Sequence, residues 1–251
     1  MKQYKEYPAT TKEIRNKTMT SFVVFIVLIC VAIGGWMWLN RQPKQDQALV
    51  PLRKVLNFNE VFFGSFLSNQ HLSKSYSPSS VVKSPRVNGT LGMSDNFDPA
   101  AWKLKVARGP GDTILVTIDE IKALPKTEII FDFKCIEGWS QVTHWAGVRF
   151  SDFAAKYGLN TQTKMNYAGL ITPDKGYYVG IDMASMMHPQ TMLCYEMNGK
   201  PLTLDHGAPL RLIIPVKYGI KHIKRIGTLY FSNTRPPDYW YEQGYDYFSG
   251  L

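Results

Sequence analysis

The chain has 251 residues and a mass of 28.6 kDa, and it carries a formal net charge of +9 at pH 7. A hydrophobic content of 45% and an aromatic content of 13% exclude an intrinsically disordered chain, which would be more polar and less aromatic. Three cysteines exclude a disulfide framework, and because the basic excess comes without a zinc-finger or RNA-recognition signature, we expect no nucleic acid among the partners.

An uncharged apolar run, residues 22–39, stands near the N-terminus. At about 1.5 Å per residue a helix of this length extends about 27 Å, close to the hydrocarbon thickness of a bilayer. Trp36 and Trp38 lie at one end of the run, where indole rings favour the membrane interface. Because no small-residue cleavage site follows, we predict a retained single-pass anchor rather than a signal peptide.

The anchor divides the chain into four predicted parts. They are a cytoplasmic tail at residues 1–20, the transmembrane anchor at 21–39, a polar linker at 40–56 and a soluble domain at 57–251. Basic residues are slightly more numerous before the anchor than after it. This bias places the soluble domain on the periplasmic side of the inner membrane.

The sequence of the first part of the soluble domain predicts little regular structure. Residues 64–100 are rich in Ser, Asn, Gly and Pro, which indicates a long irregular segment over the core. Alternating apolar residues then predict paired strands at 102–108 and 113–118, followed by a short helix that begins at Ile118 and stops at Pro125.

The second part predicts a series of short strands with few helices. A strand is predicted at 126–135, and a helix at 149–157 with Ser151 as its N-cap. Further strands are predicted at 165–172, 176–181, 192–197, 210–214 and 226–232, with a hairpin turn at Asn198-Gly199. This pattern indicates an α+β, β-rich domain.

Cys135 ends the strand predicted at 126–135, in phase with its buried face, and a Gly-Trp-Ser turn follows it. A thiol at that point can face a cleft, where it could bind a soft metal or react as a thiolate. The ordinary alternative is a small buried hydrophobe, and a nucleophile pair with His144 is a further one. Without a CxxC motif or histidines four residues apart, the chain predicts no zinc site.

Three stretches resemble, in order, the sulfite-oxidase family of molybdopterin oxidoreductases: FKCIEGWSQVTHWAGVRFSDF, MASMMHPQTMLCYEMNGKPLTLDHGAPLRLIIPVKYGIKHIKRI and TRPP. Within that family the likeness is greatest to the catalytic subunits of bacterial periplasmic protein-methionine-sulfoxide reductases, and it covers residues 57–240. It implies a sulfite-oxidase-type fold and a molybdopterin cofactor whose molybdenum takes one protein ligand, the thiolate of Cys135. A pterin dithiolene would supply the other sulfur ligands.

The resemblance also implies contacts to the pterin and its phosphate. They fall on Asn59, Phe62, Phe63, Thr172, His206, Arg211, His222, Ile223 and Lys224. The chain departs from the family at Phe62-Phe63, where Tyr-Glu is usual, and at His206, where the reductases have Asn. Arg211 suits a bidentate grip on phosphate, with a structural salt bridge as the alternative. Glu137 is a candidate for a proton donor at the site, or for a cap of the turn.

The charge near the cysteine bears on the substrate. Sulfite oxidases carry arginines soon after the cysteine, whereas no Arg or Lys lies between Cys135 and Arg149. We therefore expect a weakly cationic entrance that favours an S-oxide, of a small molecule or a protein, over sulfite.

The expected protein is a membrane-anchored mononuclear molybdenum oxidoreductase that performs two-electron oxygen-atom transfer. Its electrons would be exchanged with a membrane cytochrome b or another haem protein, because the sequence shows no haem or iron–sulfur motif. Arg15-Asn16-Lys17 is not a twin-arginine signal. A sulfite-oxidase-like dehydrogenase and a cofactor-free binding module on the same fold are the alternatives.

Overall fold

The computed structural model describes residues 10–66 and 71–251, so the first part of the predicted tail at 1–20 lies outside the described residues. The chain divides into two compact units, of which the first ends at Arg53 and the second is Lys54–Leu251. The predicted domain boundaries at residues 20, 39 and 56 stay predictions.

A long exposed helix, α1 (Thr11–Asn40), dominates the first unit. It begins with a capping box in which the Thr10 hydroxyl accepts a hydrogen bond from the Glu13 N–H and the Glu13 carboxylate accepts one from the Thr10 N–H. The helix is 30 residues long and none of them is buried. By length and composition it qualifies as a membrane span.

A small hairpin follows α1. Its strands are β1 (Lys44–Gln45) and β2 (Ala48–Leu49), and the turn residues Asp46 and Gln47 have φ of 47° and 61°. The buried guanidinium of Arg53 donates to the Asp46 carbonyl at 2.6 Å and thereby gives this carbonyl of the turn a hydrogen-bond partner. A second helix, α2 (Val50–Gly64), begins directly after β2, inside the linker predicted at 40–56.

The second unit contains most of α2, together with ten strands and four short helices, in the part that the structure describes. The strands are β3 (Leu104–Gly109), β4 (Asp112–Val116), β5 (Thr127–Lys134), β6 (Ser140–Arg149), β7 (Tyr167–Ile171), β8 (Tyr178–Asp182), β9 (Met192–Met197), β10 (Lys200–Pro201), β11 (Arg211–Ile213) and β12 (Thr228–Ser232). The helices are α3 (Ile118–Lys122), α4 (Phe150–Lys156), α5 (Met183–Met186) and α6 (Tyr239–Glu242).

Two five-stranded sheets organise these strands. In the first sheet β10, β9, β6 and β5 are neighbours in that order, and β11 pairs with β9. In the second sheet the order is β4, β3, β12, β7 and β8, in which the pairing of β12 with β3 is parallel. Residues 71–103 contain no strand and cross the first sheet as an irregular segment with one 3-10 turn at Pro78–Ser80. This arrangement confirms the predicted α+β, β-rich class.

A hydrophobic cluster under the first sheet fixes the end of β5. Phe131 and Phe133 alternate with polar neighbours along β5, as predicted, and pack with Trp145, Cys194 and Ile213 from the adjoining strands. Burial of one such phenylalanine stabilises the fold by about 1.5–3 kcal/mol. The position of the residue after β5, which is Cys135, therefore depends on this cluster.

The strands and helices predicted in the second unit are confirmed, but β6 and α2 are among the elements that were missed, and one predicted N-cap was wrong. β6 was not predicted, because its buried residues 145–148 form a continuous apolar run without alternation. Gly147 belongs to this run because a side chain has no room there: a Cβ would lie 2.1 Å from the carbonyl oxygen of Leu193 on β9. The prediction of Ser151 as an N-cap was wrong: α4 begins at Phe150 after Arg149, with no side-chain cap.

Candidate active site

The turn between β5 and β6 places Cys135 in the wall of a cleft. The Cys135 N–H donates to the Trp139 carbonyl at 2.9 Å, and the Gly138 N–H donates to the Cys135 carbonyl at 3.1 Å. Gly138 has φ of +90°, which a side chain would oppose. Cys135 is 5% exposed, and the cleft that it lines encloses about 1010 Å³ when its open mouth is included.

The thiol of Cys135 is buried but has polar neighbours. Burial raises its pKa, while the backbone N–H of Glu137 and the positive charge of Arg86 act in the opposite direction. The side-chain amide of Asn88 donates a hydrogen bond to Sγ at 3.6 Å. A buried thiol with such donors ionises when a cation binds it, so Cys135 is suited to be a metal ligand.

Glu137, Trp139 and Arg86 form the rim of the cleft beside this thiol. The indole N–H of Trp139 donates to the Glu137 carboxylate at 2.9 Å, and the Arg86 guanidinium lies 4.8 Å from the centre of the indole ring. At the rim, the carboxylate of Glu137 and the guanidinium of Arg86 therefore both contact the side chain of Trp139. Arg86 supplies a charge that the residues between Cys135 and Arg149 do not, so the cleft is more cationic than that segment alone predicted.

Arg211 lies deeper in the cleft, at the start of β11. Its Nη1 donates to the His206 carbonyl at 2.9 Å and its Nη2 to the His222 carbonyl at 3.2 Å, while its guanidinium stacks 4.6 Å from the Trp145 ring. Its Nε is buried without a hydrogen-bond partner. Burial lowers its pKa to about 10, so the guanidinium is still charged at neutral pH. Among the described residues Arg211 forms no salt bridge of the kind considered from the sequence, and its guanidinium contacts two backbone carbonyls and the Trp145 ring instead.

Two histidines adjoin Arg211. His222 is buried and satisfied, because its Nε2 donates to the Lys217 carbonyl at 3.0 Å and its Nδ1 accepts from the Ile214 N–H at 3.5 Å. Burial lowers its pKa to about 3, so the ring is neutral. His206 contacts the Thr203 hydroxyl through Nδ1 at 2.9 Å, and its Nε2 is buried without a partner. Burial, followed by the charges of Arg211 and Lys224, lowers its pKa as well.

Lys224 closes the cleft on the side of the irregular segment. Its ammonium donates to the Gly89 carbonyl at 3.0 Å and to the Asp205 carbonyl at 2.9 Å. Burial is the main cause that lowers its pKa to about 8, and the charge of Arg211 adds to it. Lys224 is thus a cation whose charge changes near neutral pH.

Residues 82–92, here called the covering segment, form one wall of the cleft. Polar contacts attach it to other elements: the Val82 N–H donates to the Val142 carbonyl, the Arg86 N–H to Gln141 Oε1, the Asn88 amide to Cys135 Sγ, and Lys224 Nζ to the Gly89 carbonyl, while the Val82 carbonyl accepts from the Asn198 amide. The first three lie at 3.1, 2.9 and 3.6 Å. Because these contacts hold the covering segment in place, it can position side chains in the cleft although it contains no regular secondary structure.

The structure brings six of the predicted site residues together in the cleft. They are Cys135, Glu137, His206, Arg211, His222 and Lys224. Among the other predicted contacts, Asn59, Phe62 and Phe63 lie on α2, and Ile223 is part of the hydrophobic core. Thr172 is buried outside the cleft, where its hydroxyl donates to Asp174 at 2.7 Å. For these five residues a role in cofactor binding stays a prediction.

Several cleft residues were missed in the sequence. They are Arg86, Asn88, Trp145, Tyr177, Trp240 and Tyr245. The covering segment and residues 239–245 contain no periodic pattern that could have placed them beside Cys135. The one usable signal was the density of Trp and Tyr after residue 238, which is typical of an aromatic-lined site.

The donors in this cleft fit an anionic ligand that brings its own metal. An unpaired buried donor such as Arg211 Nε costs about 1–3 kcal/mol unless a ligand accepts its hydrogen bond. Among residues 10–66 and 71–251 no group of three His, Cys, Asp or Glu could bind a metal by itself. One thiol with Arg and Lys nearby therefore suits a metal whose remaining ligands come from an organic phosphate-bearing cofactor.

Comparison with known proteins agrees with this chemistry. Residues 91–240 match the family described as oxidoreductase molybdopterin binding domain. The chain is 34% identical, over 88% of its length, to an Azospira oryzae protein with the provisional name protein-methionine-sulfoxide reductase subunit YedZ1, and it spans 84% of that protein.

Two longer relatives match a smaller share. The chain is 31% identical over 60% of its length to the protein-methionine-sulfoxide reductase catalytic subunit MsrP of Xanthomonas campestris, and 29% identical over 61% to rat mitochondrial sulfite oxidase. It spans 52% and 33% of these two proteins. The chain therefore belongs to the oxidoreductase molybdopterin binding domain family, and it is an oxidoreductase whose cofactor is molybdopterin.

Proposed function

We propose that this chain is a membrane-anchored catalytic subunit that reduces S-oxides. The observation that carries the proposal is the cleft itself, in which the thiol of Cys135 faces aromatic side chains from Trp139, Trp240 and Tyr245. Such a wall favours the apolar body of a thioether or sulfoxide over a small, strongly hydrated anion. The names of the Azospira and Xanthomonas relatives point to the same substrate class.

The cleft residues divide the work of binding the cofactor. Cys135 would supply the single protein ligand to molybdenum, while Arg211 and Lys224 would grip the phosphate with charge-assisted hydrogen bonds. His206 Nε2, which has no partner, would donate or accept at the pterin, depending on its tautomer. When bound, the cofactor supplies a metal centre that exchanges an oxygen atom and two electrons with a substrate.

Glu137 and Trp139 would act on the substrate. Reduction of an S-oxide consumes two electrons and two protons and releases a thioether and water. Glu137 lines the cleft two residues after Cys135, and the Trp139 indole fixes its carboxylate, so it is placed to deliver a proton to the departing oxygen. Trp139 would hold the substrate's carbon body and limit the access of water.

Oxidation of sulfite is the second candidate, and Arg86 is the observation that favours it. Its guanidinium is exposed at the rim and lies over Trp139, where it could attract an oxyanion. The Glu137 carboxylate, which accepts the hydrogen bond of the Trp139 indole, lies at the edge of the same ring and opposes such an anion. Two further cations are engaged elsewhere, since Lys217 pairs with Asp182 at 2.7 Å and Arg235 pairs with Glu60, and neither lines the cleft.

Membrane attachment and an electron partner complete the proposal. α1 would span the inner membrane once and hold the catalytic domain on the periplasmic side. Electrons would come from a membrane cytochrome b or another haem protein. The Azospira relative is named as a subunit, which supports a partner of this kind.

Steady-state assays of the purified full chain test the function. With an artificial electron donor, kcat/KM for the reduction of methionine sulfoxide should exceed kcat/KM for the oxidation of sulfite, measured with an artificial electron acceptor, by at least about tenfold, on the order of 1.4 kcal/mol. A preference for sulfite would establish the second candidate. Metal analysis of the same protein should find about one molybdenum per chain, and its absence would instead indicate a cofactor-free binding module.

A further inference from the structure

The orientation of α2 is unusual because its polar side faces the protein. Within the second unit, the Asn57 side-chain oxygen accepts from Arg235 at 3.0 Å, and Glu60 accepts from the Tyr167 hydroxyl at 2.5 Å and pairs with Arg235. Glu60 is the one acidic residue of this helix. A surface helix normally packs its apolar side inward and turns its polar side to solvent.

The opposite side of α2 is apolar and exposed. It carries Val55, Phe58 and Phe62, with Val61 and Phe63 at its edges, and the exposed Phe66 follows two residues after the helix. Phe58 is 58% exposed and Val61 is 69% exposed, although both are large apolar side chains. Three of the phenylalanines contact one another, with ring centres of Phe58 and Phe66 at 5.7 and 5.2 Å from that of Phe62. An exposed patch of this kind marks an interaction surface.

We propose that this apolar side of α2 inserts into the membrane interface and holds the catalytic domain against the bilayer. The inference rests on the proposed membrane span of α1. Residues 41–49, which connect α1 to α2, reach at most about 30 Å when fully extended, so α2 is tethered near any bilayer that α1 crosses. Phenylalanines on one side of a helix and Lys54 at its edge suit an interface with anionic headgroups.

This assignment competes with the predicted pterin contacts of Phe62 and Phe63, because a side chain in the bilayer cannot also contact the cofactor. The two roles make different predictions for the double variant Phe62→Ala, Phe63→Ala. A membrane role leaves the molybdenum content per chain unchanged. Loss of molybdenum from this variant, with an unchanged melting temperature, would assign the two side chains to the cofactor and overturn the proposal.

Photo-crosslinking of the full-length holoenzyme tests the membrane role directly. p-Benzoylphenylalanine is placed at Phe58 or Phe66, in nanodiscs of phosphatidylethanolamine and phosphatidylglycerol and in native membranes. Leu115, which is 59% exposed on β4, is the matched site away from α2, and Val27 in the middle of α1 reports on the anchor. We expect lipid adducts at positions 58, 66 and 27 and none at 115.

The other outcomes separate the two proposals. A lipid adduct at position 27 without one at 58 and 66 would overturn the interface while leaving the anchor intact. No adduct at position 27 would overturn the anchor, and the interface with it. An adduct to another protein at position 58 in native membranes would identify this surface as a subunit contact instead. In the variant Val61→Glu, the lipid adduct at position 58 should decrease at least about fivefold with no change in melting temperature.

Discussion

The side-chain amide of Asn88 donates a hydrogen bond to the sulfur of Cys135, across 47 positions of sequence and 3.6 Å of space. Asn88 belongs to the covering segment, whereas Cys135 follows a strand of the first sheet. The donor therefore reaches the sulfur from the opposite wall of the cleft. A metal bound by the thiolate would use one lone pair of the sulfur, while the Asn88 amide would donate its hydrogen bond to another.

Asn88→Ala should decrease kcat without abolishing metal binding. The variant removes a donor that stabilises negative charge on sulfur, worth about 1 kcal/mol, which corresponds to about a fivefold decrease. Turnover and the optical spectrum of the sulfur–metal charge transfer are the measurements. Asn160→Ala, at an exposed position outside the cleft, is the control. An unchanged spectrum together with full turnover would remove Asn88 from the site.

Cys135→Ser should abolish turnover and change the EPR signal of molybdenum while the fold persists. The reason is that a hydroxyl is a harder and far less acidic ligand than a thiol. Cys194→Ala is the matched control, because Cys194 is a second buried cysteine, packed in the cluster under the first sheet, and burial raises its pKa. It should retain the EPR signal. Equal activity of the Cys135 variant and wild type would contradict the assignment of the metal ligand.

Arg211→Ala and Lys224→Ala should each lower the molybdopterin content of the purified protein. Each change removes a charge-assisted contact to a buried phosphate, worth about 1.5–3 kcal/mol, so retention should decrease about tenfold or more under dilution. Lys200→Ala on the exposed β10 strand is the control. Pterin fluorescence after denaturation measures the content. If both variants keep a full complement, the phosphate lies elsewhere.

Loading of the cofactor-free protein should weaken as the pH rises through about 8. Burial lowers the pKa of Lys224 to about 8 from 10.5, so the charged ammonium is present below this value and is lost above it. The stability of the cofactor-free fold changes in the opposite direction, because between pH 8 and 10.5 the unfolded chain binds more protons at this site than the folded chain. Binding titrations at pH 7 and 9 should differ about tenfold. Lys224→Arg, which stays charged, should not show this difference.

Arg86→Gln should separate charged from neutral substrates. The guanidinium lies at the rim on Trp139, so its removal should raise KM for an anionic substrate such as sulfite about threefold to tenfold. KM for the neutral dimethyl sulfoxide should change less than about twofold. Arg108→Gln, at an exposed ion pair with Asp112 outside the cleft, is the control. Equal effects on both substrates would show that Arg86 acts through Trp139 rather than through its charge.

The sequence predicted the strands better than the walls of the site. β5 and the thiol that follows it were recognisable because Ile129, Phe131 and Phe133 fall on one face of the strand, and alternation is a local property of the chain. Arg211 and Lys224 were found by resemblance to a family. Asn88 and Arg86 could not be found in this way, since an irregular segment has no period and its contacts depend on residues far away in the chain.

α2 shows a different limit. Its residues were placed in a polar linker and at the start of the soluble domain, and no helix with an exposed apolar side was predicted there. The pattern of a helix identifies two sides but does not say which of them faces the protein.

The covering segment also fixes an order of events during maturation. Its contacts join residues as much as 135 positions apart, so we expect it to become ordered only after these distant parts of the chain have come together. A bulky cofactor enters most easily while that wall is still open. Once Asn88 and Gly89 have met Cys135 and Lys224, the pterin is enclosed by the peptide itself. We therefore expect loading to accompany the closure of this wall, so that the bound cofactor stabilises the contacts of the covering segment.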